Sequence, residues 1–340
     1  MHMVKKSCRS ALVALLLLSL SPAAAGNLTQ RDDYKSFVDE MVSRHQFNGD
    51  LLDRIFRKVN LQPSIIEAIT RPAEAKPWYQ YRPIFMKQAR IRGGVKFWER
   101  HADTLRRAEE KYGVPPQIIV AIIGVETRYG RYTGNYRVID ALSTLAFDYP
   151  PRSRFFRSEL EHYLLMTREE QIDPLKMKGS YAGAMGQPQF IASSFRSYAV
   201  DFNGDGHRDL WENEEDVIGS VANYFKRHGW ERGAPVTAQV SVTGKGYREI
   251  LEKGIKPDTE LKQFRRHGIE VPKQYPDEME AALIELETQD SQEYWAGMKN
   301  FYVITRYNHS ALYAMAVYQL SEAILERYQS RSTAAKDSGN

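Results

Sequence analysis

Apolar positions recur at helical spacing over most of the chain. Between residues 31 and 70, Phe37, Met41, Leu51, Ile55 and Val59 fall on faces that a 3.6-residue turn would bury, with Pro63 and Pro72 breaking the pattern. From Lys111 the signals become denser. Pro115 and Pro116 suit a helix start, QIIVAIIGVETRY continues it as a nearly unbroken apolar run, and Gly130 is placed to stop it. Helical patterns follow in FFRSELEHYLLMTREE, ASSFRSYAV and DVIGSVANYFKRHGW, separated by the glycine-rich GSYAGAMGQPQF and the loop DFNGDGHRDLW; SALYAMAVYQLSEAILERY closes the series as an amphipathic helix. Only between 235 and 305 does the period change. There VTAQVSV and ALIELET alternate as half-buried strands do, around a short helical stretch at LKQFRRHG. The pattern predicts a mainly α (α+β) chain: a helical lobe over 26–107 joined by a C-terminal helix over 306–330, a helical core over 108–232, a small mixed α/β lobe over 233–305 and a polar, disordered tail over 331–340.

The first 25 residues stand apart. Lys5, Lys6 and Arg9 precede an apolar run from Ala11 to Leu20 and the small residues Ala23-Ala24-Ala25, the order of a secretory signal cleaved near Ala25. The run is shorter than the ~20 residues that span a bilayer, so no integral membrane segment is expected after cleavage. Cys8, the only cysteine among 340 residues, lies before the run, whereas a lipid-attachment cysteine would follow it. The mature chain is therefore expected to be unlipidated, without a disulfide or a cysteine nucleophile.

A content of 42% hydrophobic and 11% aromatic residues can fill two or three packed lobes. The formal charge of +4 falls to +1 when the three basic residues of the signal are removed, which gives no electrostatic case for nucleic acid. His101, His162, His228 and His309 are scattered and no HExxH pair occurs, so nothing points to a catalytic zinc.

Chemistry must then rest on oxygen and nitrogen groups, and Glu126 is the leading candidate. On its helix it shares a face with Ile122 and Ile123, and apolar surroundings raise a carboxyl pKa by disfavouring the charged form. A carboxyl that stays protonated near neutral pH can donate to a leaving-group oxygen. Position alone favours a glutamate paired with Arg128, Arg131 or Arg137. Likewise the aromatic stretch from Trp78 to Glu99 fits either core packing or a sugar-stacking wall.

Five motifs in order, VETRYG, GSYAGAMGQPQF, AVDFNGDGHRDLW, IGSVANYFKRHGW and ITRYNHSALYAMAV, separate these readings. Together they resemble the B-type lytic murein transglycosylases, the membrane-bound lytic transglycosylase B family in its soluble periplasmic form, from about Trp78 to Leu320. The resemblance implies a lysozyme-like core and cleavage of the β-1,4 bond between MurNAc and GlcNAc of peptidoglycan, with closure of a 1,6-anhydroMurNAc ring. It implies that Glu126 is acid and then base, and that Tyr81, Ser180, Gln189, Tyr307, Asn308 and Tyr313 bind substrate. A periplasmic location, glycan strands as substrate and cell-wall synthases such as penicillin-binding proteins as partners follow from the same resemblance. QPQFIASS departs from relatives that read closer to GQFMPSS, retaining Gln189 but placing Ile191-Ala192 where they have Met-Pro. A water-using muramidase and a non-catalytic peptidoglycan-binding protein are the alternative readings.

DFNGDGHRDLW carries a second pattern. Asp201, Asn203 and Asp205 alternate as hard oxygen ligands, Gly206 permits a sharp turn, and His207 can offer its backbone carbonyl, as in an EF-hand-like calcium loop. Glu212 holds the twelfth position, yet the next helix is expected to start between Glu214 and Val217. The family resemblance implies a lengthened loop, 201–216, closed by Asp216 around a structural calcium ion.

Overall fold

The structure, a computed structural model, describes residues 28–71 and 76–337. The expected export signal and Pro72 lie outside the described residues. Two compact units divide after Arg57. In the first, a short turn at Leu28–Gln30 precedes α1 (Asp32–His45) and α2 (Gly49–Phe56). Asn48 caps α2 by accepting the Leu51 N–H at 2.9 Å, which satisfies one orphan donor of the first turn. Tyr34 and Phe37 meet Phe56 edge-on, at 5.1 and 6.0 Å between ring centres.

The second unit opens with α3 (Pro63–Thr70), α4 (Trp78–Phe85), α5 (Gln88–Arg100), α6 (Ala102–Tyr112) and α7 (Pro116–Thr127). It continues with α8 (Val138–Asp148), α9 (Ser153–Glu169), α10 (Ala192–Tyr198) and α11 (Glu214–Arg227). Pro63 takes the first helical position of α3, where its missing N–H costs nothing, so it ends one helical pattern by starting the next. The central helix is α7. From Ile118 to Gly124 every residue is buried, and such an all-round apolar helix must be enclosed by others. Its neighbours are α5, α6 and α11, together with the C-terminal α15 (Ala311–Asp337).

Between the core and α15 comes the mixed lobe. It holds α12 (Tyr247–Leu251), α13 (Leu261–Arg266) and an antiparallel sheet of β3 (Thr237–Val242), β4 (Thr259–Glu260), β5 (Ile269–Glu270), β6 (Glu280–Glu287) and β7 (Gln292–Gly297). A separate two-stranded ribbon, β1 (Tyr136–Arg137) with β2 (Lys178–Gly179), lies in the core. The strand order in the lobe is β4-β6-β7-β3-β5. The expected strands VTAQVSV and ALIELET are β3 and β6, but they do not pair directly: β7 lies between, with Ala296 opposite both Ala238 and Leu283. QEYWAG carries no clean alternation, and only the pairing on both sides makes it a strand. Leu261, Phe264, Ile250 and Leu283 fill the core of this lobe.

The division after Arg57 falls within the span 26–107 expected as a helical lobe, and 107/108 falls inside α6. The end of the mixed lobe at 305 falls inside α14 (Lys299–Tyr307). The tail expected to be disordered from 331 continues α15 to Asp337, because extending a formed helix needs no new nucleus and no glycine or proline intervenes before Gly339.

Candidate active site

The end of α7 departs from the simple stop expected at Gly130. Arg128 takes the left-handed C-cap position (φ 52°), followed by Tyr129 (φ 63°) and Gly130 (φ 81°). Two consecutive non-glycine residues in this region cost free energy and persist only when surroundings fix them. Tyr129 is fixed by its hydroxyl, which donates to the Arg90 carbonyl at 2.9 Å, and by a ring seated over glycines. A Cβ on Gly124 would meet that hydroxyl at 2.5 Å, and one on Gly94 would meet it at 2.7 Å. Thr127 holds the turn from inside: its hydroxyl donates to the Gln187 carbonyl at 2.9 Å and accepts the Gly130 N–H at 3.1 Å.

This turn presents Glu126. Its carboxylate accepts a hydrogen bond from the Tyr313 hydroxyl, which α15 brings across 187 positions of sequence. Burial pushes the Glu126 carboxyl up to about 7, and the Tyr313 bond opposes that rise by favouring the charged form. The residue as a whole is only partly buried. The pairing with nearby arginines that sequence position allowed does not form. Arg137 pairs instead with Asp140 at 2.8 Å, and Arg128 lies over the Tyr132 ring.

Tyrosines surround the carboxyl. Tyr313 and Tyr307 are raised well above their ordinary range, first by burial and then by the Glu126 charge, and Tyr81 is raised by the same two causes. All three therefore stay neutral and present hydroxyls or ring faces. Tyr307 donates to the Pro188 carbonyl at 2.6 Å and packs among Phe190, Tyr224 and Phe225. Tyr81 belongs to a short stack with Trp78 and Phe85 on α4. The aromatic stretch thus divides its duties: Trp78, Phe97 and Trp98 are buried, while Tyr79 is exposed.

The glycine-rich segment is built from its own polar side chains. Ser180 Oγ accepts the N–H groups of Ala182 (3.3 Å) and Ala184 (3.0 Å), and the Gln189 amide donates to the carbonyls of Gly186 (2.8 Å) and Thr133 (3.1 Å). Gln189 itself has a left-handed backbone (φ 53°). Asn308 follows α14 in extended conformation and is exposed. Gln187, which sequence reasoning passed over in favour of Gln189, is 4% exposed and anchors the segment through its amide to the Trp211 carbonyl at 3.3 Å. GQPQ contains both glutamines, and nothing in the motif says which one faces inward.

The acidic loop closes on itself. Asp201 accepts N–H groups from Gly204 (2.7 Å) and Gly206 (2.8 Å), and Asp205 accepts that of His207 at 2.9 Å. Asp216, in the first turn of α11 and fully buried, reaches across to accept from Phe202 (2.7 Å) and Asp209 (2.9 Å). Its carboxyl is raised, chiefly by burial and in smaller part by the charge of Asp201. Glu212 is exposed. Among the described residues no three His, Cys, Asp or Glu side chains converge as a ready metal cluster; an oxygen-only set would also need Asn203 and a carbonyl.

One family model, the transglycosylase SLT domain, matches residues 29–322, a span that includes the helical core and Glu126. The chain belongs to this family. Among individual relatives, it is 44% identical over 309 residues to the membrane-bound lytic murein transglycosylase B of Escherichia coli strain K12, covering 88% of this chain and 84% of that one. The soluble lytic transglycosylase SltB1 of Pseudomonas aeruginosa superimposes with a TM-score of 0.83 at 52% identity, over 86% of this chain and 98% of that one. The E. coli lytic transglycosylase Slt35, solved in complex with calcium, gives 0.81 at 42% identity over 89% and 96%. SltB3 of P. aeruginosa, solved with NAG-anhNAM-pentapeptide, gives 0.77 at 29% identity over 88% and 80%. Among the described residues no helix of this chain is long and apolar enough to cross a membrane.

Proposed function

We propose that this enzyme is a lytic murein transglycosylase that cuts the β-1,4 bond between MurNAc and GlcNAc and leaves a 1,6-anhydroMurNAc end, with Glu126 as its single acid and base. The observation that carries the reading is a carboxyl desolvated to a pKa of about 7 and bonded to one neutral tyrosine. Such a group holds its proton at neutral pH and gives it up to a leaving oxygen without a large penalty. Glu126 donates to the glycosidic oxygen as the bond to C1 breaks. The carboxylate so formed then takes the proton of the C6 hydroxyl, whose oxygen attacks C1 and closes the second ring.

The positive centre at C1 is stabilised by the substrate's own N-acetyl group, as in substrate-assisted glycosidases, so no second enzyme carboxylate is required. Intramolecular attack gains effective molarities of about 10⁵ to 10⁸ M when the sugar is held in a near-attack conformation. Tyr81, Tyr307 and Tyr313 supply apolar ring surface for that purpose. Ser180 and Gln189 hold the shape of the facing segment, and Asn308 offers an exposed amide to the sugar.

The loop over 201–216 fits a structural calcium ion held by Asp201, Asn203, Asp205 and the His207 carbonyl. The buried position of Asp216 and the electrostatic effect of Asp201 upon it favour Asp216 over the exposed Glu212 as the closing carboxylate. The signal-like first 25 residues and a cell-wall substrate support a periplasmic location, with cell-wall synthases as the protein partners that the family resemblance implies.

Mass spectrometry of products from purified peptidoglycan tests the central reading. Anhydro ends, lighter than hydrolysed ends by one water, are expected; reducing ends alone would make the enzyme a muramidase. Glu126→Gln keeps shape but lacks a titrating group, so product release should fall by at least ~10²-fold while glycan binding persists.

A further inference from the structure

A series of rings leads away from Tyr307. The Tyr224 ring of α11 lies 4.8 Å from that of Tyr307, and the Tyr224 hydroxyl donates at 2.6 Å to the carbonyl of Arg306, the residue before Tyr307. His228 comes next, one helical turn after Tyr224. Its imidazole lies 4.2 Å from the Tyr224 ring and 5.0 Å from that of Tyr198 on α10. His228 Nε2 is buried and has no hydrogen-bond partner among the described residues. A neutral imidazole tolerates such a place far better than an imidazolium, whose charge and second N–H both call for an acceptor. The C-terminal end of α11 and the two tyrosine rings favour a cation. Against this, Lys226 and Arg227 already occupy the last turn of α11, a Cβ on Gly229 would lie 3.6 Å from Lys299, and Arg306 repels a further charge. Burial first and Arg306 second lower the His228 pKa, so the imidazole is neutral at neutral pH.

We propose that His228 is a positioning residue for the reaction: its uncharged ring braces Tyr224, and Tyr224 in turn holds Tyr307 and the chain at Arg306 in place beside Glu126. The proposal rests on the transglycosylase reading, in which Tyr307 offers ring surface to the sugar. Tyr307 is tied at its other end, where its hydroxyl donates to the Pro188 carbonyl at 2.6 Å, so its ring is held between the glycine-rich segment and the Tyr224 stack. Protonation of His228 adds a charge and a donor that the buried side of this stack does not satisfy. The imidazolium turns toward solvent, Tyr224 loses its brace, and Tyr307 loses its fixed place. The enzyme therefore has an acid limb set by His228, below the ordinary histidine value of about 6.5, and an alkaline limb set by Glu126.

The test is the pH–rate profile for release of anhydro ends from soluble glycan strands by the full chain, His228→Phe and His228→Ala. His228→Phe keeps a ring beside Tyr224 but takes no proton, so its acid limb should move down by at least about one pH unit. His228→Ala removes the brace, and turnover should fall at least about tenfold at every pH, with the phenylalanine variant restoring most of it. An acid limb that stays in place in His228→Phe, or a phenylalanine variant as slow as the alanine one, overturns the proposal. A second measurement needs neither variant nor turnover: NMR titration of the wild-type chain with labelled histidine and tyrosine. His228 should titrate below about 6.5, and the ring signals of Tyr224 and Tyr307 should shift with it. Titration above that value, or without any response of the two tyrosines, also overturns the proposal. Absence of anhydro ends would sink the transglycosylase reading instead, and the NMR titration would still decide whether His228 braces the stack.

Discussion

At the residue scale, the proposed working parts are one carboxyl and the hydroxyl bonded to it. Tyr313 donates to Glu126 and favours its charged form, so burial raises the pKa to about 7 against that opposing bond. In the proposed mechanism the acid form starts the reaction, so activity should decline as pH rises through about 7. Tyr313→Phe removes the bond that favours the carboxylate, so Glu126 should then keep its proton to higher pH. The alkaline limb of the pH–rate profile is expected to move upward, and an unmoved or acid-shifted limb would show that this hydroxyl does not tune the group. Glu126 was legible from VETRYG once the other motifs stood in order, yet Tyr313 as its direct partner was not. Nothing in LYAMAV states that its tyrosine will face a residue 187 positions earlier.

At the element scale, the join between α5 and α7 sets where the carboxyl points. The helices approach closely because Gly94 and Gly124 leave room for the Tyr129 ring and hydroxyl. Gly124→Ala would place a methyl group 2.5 Å from that hydroxyl in an enclosed site. Overpacking of this kind costs about 1–3 kcal/mol, so a lower denaturation midpoint is expected, accompanied by lower turnover as the turn shifts. A variant with unchanged stability would mean that the ring can move aside. The pattern of apolar residues located α7 and its proline start correctly, but it assigned the stop to Gly130. The stop occurs at Arg128, because the contacts of Tyr129 and the Thr127 hydroxyl hold two non-glycine residues left-handed ahead of Gly130, which is left-handed as well.

At the scale of the whole molecule, the acidic loop joins α10 to α11, and α11 packs against both α6 and α7. A ligand that binds only the folded state stabilises it by mass action, about 2.7 kcal/mol at a hundredfold excess over its Kd. Calcium should therefore raise the Tm of the enzyme, and Asp216→Asn should blunt that response. A melting curve indifferent to both calcium and chelator would argue against an occupied loop. The sequence by itself determined the helix-rich class and the strands β3 and β6, and it pointed to Glu126 and the acidic loop as candidates, because periodicity, turn residues and contiguous motifs are local properties of a chain. Tertiary structure decided that β7 separates β3 from β6, that the chain divides after Arg57, and that Gln187 faces inward. It also decided the protonation of Glu126, since a pKa near 7 depends on which groups exclude water from the carboxyl, and those groups come from distant parts of the chain.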